Sequence, residues 1–326
     1  MNSRPEVSVL MANYNGARHL VEAIASVRNQ TLQSWELIFV DDASQDGSAA
    51  LAAEASQGDA RVRLIAQSVN RGPAAARNRA IDAALGRWLA IFDSDDVMLR
   101  ERLATLLARA SADGAQIVAD NLLLFSDEAQ RPRPFLRGAR AKQARWIGLA
   151  EFIDSNRLYS REPDLGYLKP FVDADLLRRS QIRYDARLRI GEDYDFLARL
   201  LARGPQLRLE PSALYLYRRH RASTSWRLRH EHIRALLDAH ERFLSGSYLL
   251  NSEELRALGR RRRSLQSMLL YDEVVDMLKS GRYRQAVRAS VRAPRIWPLL
   301  TRPLRARFAR RIGRQRPAAP CRAATT

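Results

Sequence analysis

Residues 87–97 read Arg-Trp-Leu-Ala-Ile-Phe-Asp-Ser-Asp-Asp-Val, an apolar run of strand length that ends abruptly in three acids. The unbroken stretch from Trp88 to Phe92 has the character of a strand buried on both faces, the kind found in a parallel sheet covered by helices. The C-terminal edge of such a sheet is where ligands bind. Asp93, Asp95 and Asp96 would repel one another there unless a cation or hydrogen-bond donors offset them, and hard carboxylate oxygens suit Mg²⁺ or Mn²⁺. A divalent ion so held can carry a diphosphate. Taken alone, the triplet reads equally as an Asp-rich turn capping a helix that starts near Leu99.

Toward the N-terminus the same pattern repeats. Val7 to Ala12 is a short β-rich run ending at Asn13-Tyr14-Asn15-Gly16, followed by helical spacing of Leu20, Ile24 and Val27. Trp35 to Val40 leads to Asp41-Asp42, a turn, and an Ala-rich helix over 49–56. Val62 to Ala66 is a third strand, and Asn70-Arg71-Gly72-Pro73 introduces a helix from Ala74 to Leu85. After the organising strand come a helix from Leu99 to Ala110 and a further strand from Ala115 to Leu124. This alternation predicts a mostly parallel α/β sheet with helices on both faces. Each strand delivers polar residues to one edge: Asn13 and Tyr14, then Asp41 and Asp42, then Asp93 and Asp95. Singly, Tyr14 reads as a rim aromatic and Asp41 and Asp42 as helix caps; together they share a ligand-binding edge. No G-x-G-x-x-G or Walker A pattern occurs at these turns, which argues against a dinucleotide or P-loop enzyme.

Farther on, Gly191-Glu192-Asp193-Tyr194-Asp195-Phe196 opens a helix. Acids in a first turn are favoured by the helix dipole, and a carboxylate beside a sugar site can also take a proton from an acceptor hydroxyl. Leu214 to Tyr217 alternates like a strand and ends in Arg218-Arg219-His220-Arg221, either a solvated loop or a cationic clamp on a leaving diphosphate.

The chain has 326 residues, 46% of them apolar, and one cysteine, Cys321. That length accommodates one large domain with a smaller appendage. No disulfide framework or cysteine-based zinc site is available, and a reducing cytoplasm is the natural setting. No signal peptide or membrane span is expected. The formal charge of +19 is uneven: residues 256–326 carry 19 Arg and Lys against Asp272, Glu273 and Asp276, whereas the rest is nearly balanced. Such a region suits an anionic surface. From Pro303, an acceptable first helical residue, Leu304, Phe308 and Ile312 recur at spacing four with arginines on the other face, a segment that reads equally as lying on an anionic membrane or as a helix packed on the sheet domain with its arginines facing water. The expected divisions are 1–226 for the sheet domain, 227–314 for a helical, Arg-rich extension with a break at Gly281, and 315–326 for a disordered tail.

Five segments in order, VSVLMANYNG (7–16), VDDASQDGS (40–48), NRGPAAARNRAI (70–81), FDSDD (92–96) and GEDYDF (191–196), make the chain resemble the inverting family 2 glycosyltransferases that build bacterial exopolysaccharides and other surface glycans. The resemblance implies a GT-A fold. It implies that Tyr14 stacks near the base of a nucleotide sugar, that Asp42 hydrogen-bonds that base, and that Arg77 orders the pocket, with Ala12, Asp41 and Ser94 in the same site. Asp93 would contact the ribose side of the donor, and Asp95 would ligate Mn²⁺ or Mg²⁺. His220 would stand near metal and diphosphate, with Arg218, Arg219 and Arg221 as alternatives for the diphosphate. Asp193 would be the general base, with Glu192 beside it. The Q-x-x-R-W motif of processive members is absent, so single sugar additions are expected, from a nucleotide-sugar donor, UDP-linked by expectation, to a glycan or lipid-linked acceptor. The setting implied is the cytoplasm, peripheral on the inner face of the membrane. A sugar-phosphate nucleotidyltransferase would need a Gly-rich basic loop early in the chain. A nucleic-acid-binding protein would need more than charge, such as a helix-turn-helix or aromatic-basic interleaving.

Overall fold

The computed structural model describes residues 4–127, 131–157, 163–220 and 229–300. Arg221, the segment from Pro303 to Arg314 and the tail 315–326 lie outside them. The chain divides into two compact units, 1–262 and 263–326.

The first unit is built on strands β1 (Val7–Asn13), β2 (Trp35–Asp41), β3 (Val62–Ala66), β4 (Trp88–Asp93), β5 (Val97–Met98), β6 (Ile117–Phe125), β7 (Arg133–Pro134), β8 (Arg145–Ile147), β9 (Phe171–Asp173) and β10 (Leu207–Arg218). Its helices are α1 (Ala17–Arg28), α2 (Ser48–Ser56), α3 (Pro73–Ala83), α4 (Arg102–Asp113), α5 (Leu149–Ser155), α6 (Ala174–Ser180), α7 (Glu192–Leu201) and α8 (His230–Leu244), and α9 (Ser252–Lys279) starts in it. The sheet order is β3-β2-β1-β4-β9-β6-β10-β5, with β7 on β6 and β8 on β10. β1, β2 and β4 are buried along nearly their whole length, which is why each is an unbroken apolar run; β3, at the sheet edge, is partly exposed.

The parallel pairing of β2 and β4 with β1 and of β3 with β2 agrees with the alternation in the sequence. Beyond β4 the sheet departs from it. The short β9 inserts between β4 and β6, antiparallel to both, and β5 runs antiparallel to β10. Three residues cannot display a period, so β9 leaves no alternation signal. β10 extends well before the recognisable Leu214–Tyr217 stretch because its register shifts between Glu210 and Tyr215, around Pro211, and such irregularity breaks the pattern in sequence.

A fully buried ion pair fastens this second half. Arg102 of α4 reaches Asp120 of β6 at 2.9 Å, donates to the Lys169 carbonyl and packs over the Tyr215 ring. Outside the sheet, His240 of α8 is buried and accepts from the Arg261 guanidinium through Nδ1, which places its proton on Nε2, a buried atom with no hydrogen-bond partner among the described residues. The second unit contains α10 (Tyr283–Arg292) and α11 (Trp297–Leu300). The break at Gly281 separates α9 from α10, with the glycine at φ +73°, a conformation that costs an L side chain strain.

Burial, and then the charges of Arg261 and Arg262, push the His240 imidazole down to about 4. The unfolded imidazole titrates near 6.5, so below that pH the unfolded state binds the extra proton and stability falls until about pH 4. His240→Leu is expected to flatten the fall in unfolding free energy between pH 6.5 and 4, measured by urea denaturation across that range.

Candidate active site

The parallel register of the first three buried strands sets the site. Ala12 lies opposite both Val40 and Asp93, and Asn13 lies opposite Asp41, so β1, β2 and β4 release their chains at one level of one edge. Asp41 is buried and held by Asn13 Nδ2 at 2.9 Å and Ser44 Oγ at 2.6 Å. The turn after β1 needs a glycine, since a Cβ on Gly16 would lie 2.2 Å from Asn13 Oδ1. Tyr14 projects at the rim, exposed. Asp42 is buried and both its oxygens are engaged, Oδ1 by Gln67 Nε2 and the Arg71 amide and Oδ2 by the Gly72 amide, at 2.7–2.8 Å. Its carboxylate therefore ties down the loop that leads into α3.

From α3, Arg77 enters the centre of the site, buried. One guanidinium nitrogen donates to Asp93 Oδ1 at 2.7 Å, and the other donates to Glu192 Oε1 at 2.7 Å and lies 3.5 Å from Asp193 Oδ1. Lys169, just before β9 and also buried, bridges Asp93 Oδ2 at 2.7 Å and Asp193 Oδ2 at 2.9 Å. Two buried cations thus hold three carboxylates, joining the end of β4 to the start of α7. Glycine makes the second half possible: Gly191 takes φ +81°, and a Cβ there would lie 2.6 Å from Leu236. Burial raises Asp93, but Lys169 and Arg77 outweigh it and hold the carboxyl far below the usual range. Burial and then Asp193 raise Glu192. Burial opposes the charge of Lys169, yet Asp193 and Asp93 hold its ammonium well above the ordinary value. Asp193 Oδ1 is buried without a hydrogen-bond partner among the described residues.

The other two acids of the triplet have different fates. Asp96 turns inward, accepting from the Tyr215 hydroxyl at 2.6 Å and the Arg218 amide at 2.7 Å; burial, then Asp95 and Asp93, push its carboxyl well above the usual range. Asp95 is partly exposed and meets His220 Nε2 at 2.9 Å, and that bond raises the imidazole. Ser94, between Asp93 and Asp95 in the sequence, is buried. Arg218 is drawn inside, its guanidinium bound by the Asp95 carbonyl, Asp127 and Glu22, so it braces the site from within and does not face outward as a clamp. The Arg219 amide donates to the Phe125 carbonyl and its side chain is exposed.

Oxygens of Asp93, Asp95 and Asp96 lie within 4.8 Å of one another. Hard oxygen donors with one imidazole fit Mn²⁺ or Mg²⁺. Because Asp96 is committed to Tyr215 and Arg218, and Asp93 to Arg77 and Lys169, the groups placed to meet a cation from the open side are Asp95 and His220. Lys169 had no motif in the sequence; its one signal is a lone cation between the apolar runs Leu165–Leu168 and Phe171–Val172.

A family model described as "Glycosyl transferase family 2" matches residues 8–167. The chain is 39% identical over 310 residues to the succinoglycan biosynthesis protein ExoO of Rhizobium meliloti (strain 1021), covering 95% of this chain and 88% of that one. It is 31% identical to ExoU of the same organism over 298 residues, 90% of this chain and 85% of that one. Among solved structures, S. aureus TarS 1-349 with UDP-GlcNAc superposes with a TM-score of 0.61 at 16% identity, covering 83% of this chain and 72% of that one. The mannosyltransferase PcManGT from Pyrobaculum calidifontis, with GDP-Man and Mn²⁺, superposes with a TM-score of 0.58 at 16% identity over 90% of this chain and 76% of that one. These likenesses show a GT-A fold.

Asp93, ionised in the folded state at a depressed pKa, stabilises the protein above the unfolded carboxyl value of about 3.9, and that contribution is lost as pH falls below it. Removing Arg77 leaves the three carboxylates with Lys169 alone. Arg77→Met is expected to lower the unfolding free energy at pH 7 by about 3–5 kcal/mol. The deficit should narrow as pH is lowered from 7 toward 5, because the crowded acids then take up protons in the folded state. Urea unfolding at both values checks the size and the sign.

Proposed function

The chain belongs to glycosyl transferase family 2, and from that premise we propose that it moves a single sugar, with inversion, from a nucleoside-diphosphate sugar to a glycan or lipid-linked acceptor in the assembly of an exopolysaccharide or other surface polysaccharide. The relatives named for succinoglycan biosynthesis support the pathway class, and a UDP-sugar is the donor we favour. The observation that carries the reading is the shared grip of Arg77 and Lys169 on Asp93, at the end of β4, and on Glu192 and Asp193, at the start of α7. It joins a donor-side carboxylate and an acceptor-side carboxylate in one cluster of three acids and two cations.

The division of work follows from that geometry. Tyr14 and Ala12 flank the nucleotide at the rim of β1, and Asp41 and Asp42 shape the floor through the loops they tie down. Asp93 and Ser94 stand on the ribose and sugar side. Asp95, with His220, would hold the divalent cation, which would supply positive charge against the departing diphosphate. Arg219 is assigned to the diphosphate side, and Arg218 acts indirectly by fixing the Asp95 carbonyl and the Asp96 carboxyl. Asp193 takes the proton from the acceptor hydroxyl as that oxygen attacks the anomeric carbon on the face opposite the leaving group. Its Oδ1, without a hydrogen-bond donor among the described residues, is the oxygen left to accept that proton. Glu192, bound to Arg77, holds the guanidinium in place. Lys169 is a positioning residue: it fixes Asp193 Oδ2 so that Oδ1 keeps its aim.

Purified protein, incubated with a panel of nucleotide sugars, Mn²⁺ and membrane-extracted acceptors, should release a nucleoside diphosphate only with its preferred donor. Asp193→Asn is expected to reduce turnover by about 10²–10⁴ while retaining nucleotide binding in a thermal-shift assay; undiminished turnover would remove Asp193 from the role of base. Lys169→Met should lower kcat about tenfold to a hundredfold, with donor KM changed far less, and Lys169→Arg should restore part of kcat. Equal losses in kcat and donor affinity, with no rescue by arginine, would mean that Lys169 only holds the fold.

A further inference from the structure

The second unit inverts the usual arrangement of an amphipathic helix. Its core is formed by Val274, Ala286 and Ile296, with Leu270, Met277 and Ala289 packed against it. α10 therefore packs inward through alanines. Its larger apolar residues face out: Tyr283 is 65% exposed, Val287 57% and Val291 62%. At a spacing of four they make a single stripe along the helix. Trp297, 51% exposed, is tied beside it by a 2.8 Å bond from its indole nitrogen to the Ser290 carbonyl. A water-soluble helix of this size normally buries such residues and exposes its small ones.

The charge beside the stripe names what covers it. Arg284, Arg288 and Arg292 each follow one apolar residue and so form the adjoining row, all exposed, with Arg282 and Arg295 exposed at the two ends. No acid occurs in the sequence after Asp276. A second copy of the chain would oppose arginine to arginine across the patch. An apolar stripe with a tyrosine and an indole at its border, edged by an uncompensated arginine row, matches the boundary between headgroups and acyl chains of an anionic bilayer, where aromatic rings settle and phosphates meet guanidinium groups. Among the described residues no helix is long and apolar enough to cross a membrane, so contact through this surface is lateral.

We propose that α10, with Trp297, is a docking surface for anionic lipid, the apolar stripe entering the interface and the arginine row binding lipid phosphates. This surface differs from the segment 303–314, and the inference stands independently of the transferase reading. Short-range charge and shallow burial together give reversible attachment, strongest at low salt.

The full chain tests it by co-sedimentation with phosphatidylglycerol/phosphatidylcholine vesicles, against phosphatidylcholine alone and against a nucleic-acid duplex. Tyr283→Gln/Val287→Gln/Val291→Gln removes the stripe and keeps every charge, including those beyond residue 300. Arg284→Gln/Arg288→Gln/Arg292→Gln removes the row and keeps the stripe. Binding to anionic vesicles is expected to weaken on the order of tenfold or more with the first set and on the order of 10² with the second, while donor-nucleotide binding and the melting transition stay as in the wild type. Wild-type affinity in the stripe variant would overturn the proposal, because attachment would then be charge alone. So would equal binding to neutral vesicles, or binding to the duplex with none to vesicles. Nucleotide binding reports on the sheet unit separately, so a failed docking surface and a failed transferase reading give different results.

Discussion

Three carboxylates cannot share one buried site unless the fold supplies cations in fixed positions, and here it supplies Arg77 and Lys169. Each cation bonds acids from two distant parts of the sequence: Asp93 ends a central strand, and Glu192 and Asp193 begin a helix about a hundred residues later. Neither group of acids would be stable as an ion without the pairing, and burial alone would work against the charge on Lys169. The cluster is therefore both the electrostatic centre of the site and the clasp between the parallel half of the sheet and the segment that follows it.

That clasp explains the most unusual feature of the sheet. A continuous parallel order would set β6 directly beside β4 and leave no route for a side chain from the later segment to reach Asp93. Inserting β9 antiparallel between them brings Pro170 against Ile91 and delivers Lys169 to the cluster. The cost of the irregular pairing is offset below the site by Arg102 and Asp120, whose ion pair also receives the Lys169 carbonyl. One residue is thus held at its backbone by one buried charge pair while its side chain completes another, which leaves Lys169 little freedom to move.

The halves of the molecule were unequally legible in the sequence. Buried parallel strands β1, β2 and β4 announce themselves as apolar runs, and motif glycines such as Gly16 and Gly191 mark places where a Cβ has no room; that much of the site could be read directly. The roles within it could not. Asp41 and Asp42 are adjacent and both buried, and only their partners reveal that each is occupied by its own loop. Arg218 stands in a run of cations, yet it points inward onto Glu22 and Asp127, which lie 196 and 91 positions away in the sequence, so no local pattern couples them. Lys169 was invisible for the same reason: its meaning lies in two acids remote from it.

The triplet Asp93, Asp95 and Asp96 shows why composition stops short of chemistry. Three identical side chains within four residues occupy three electrostatic environments: one between two buried cations, one at the open side against an imidazole, one sealed against a phenol and an amide. Burial, with Asp95 and Asp93 nearby, raises the Asp96 carboxyl, whereas Lys169 and Arg77 outweigh burial and lower that of Asp93. A cation approaching from outside meets Asp95 first, the member left on the open side. The number of acids in the motif sets the capacity of the site, but the neighbours of each acid decide how much of that capacity faces the ligand.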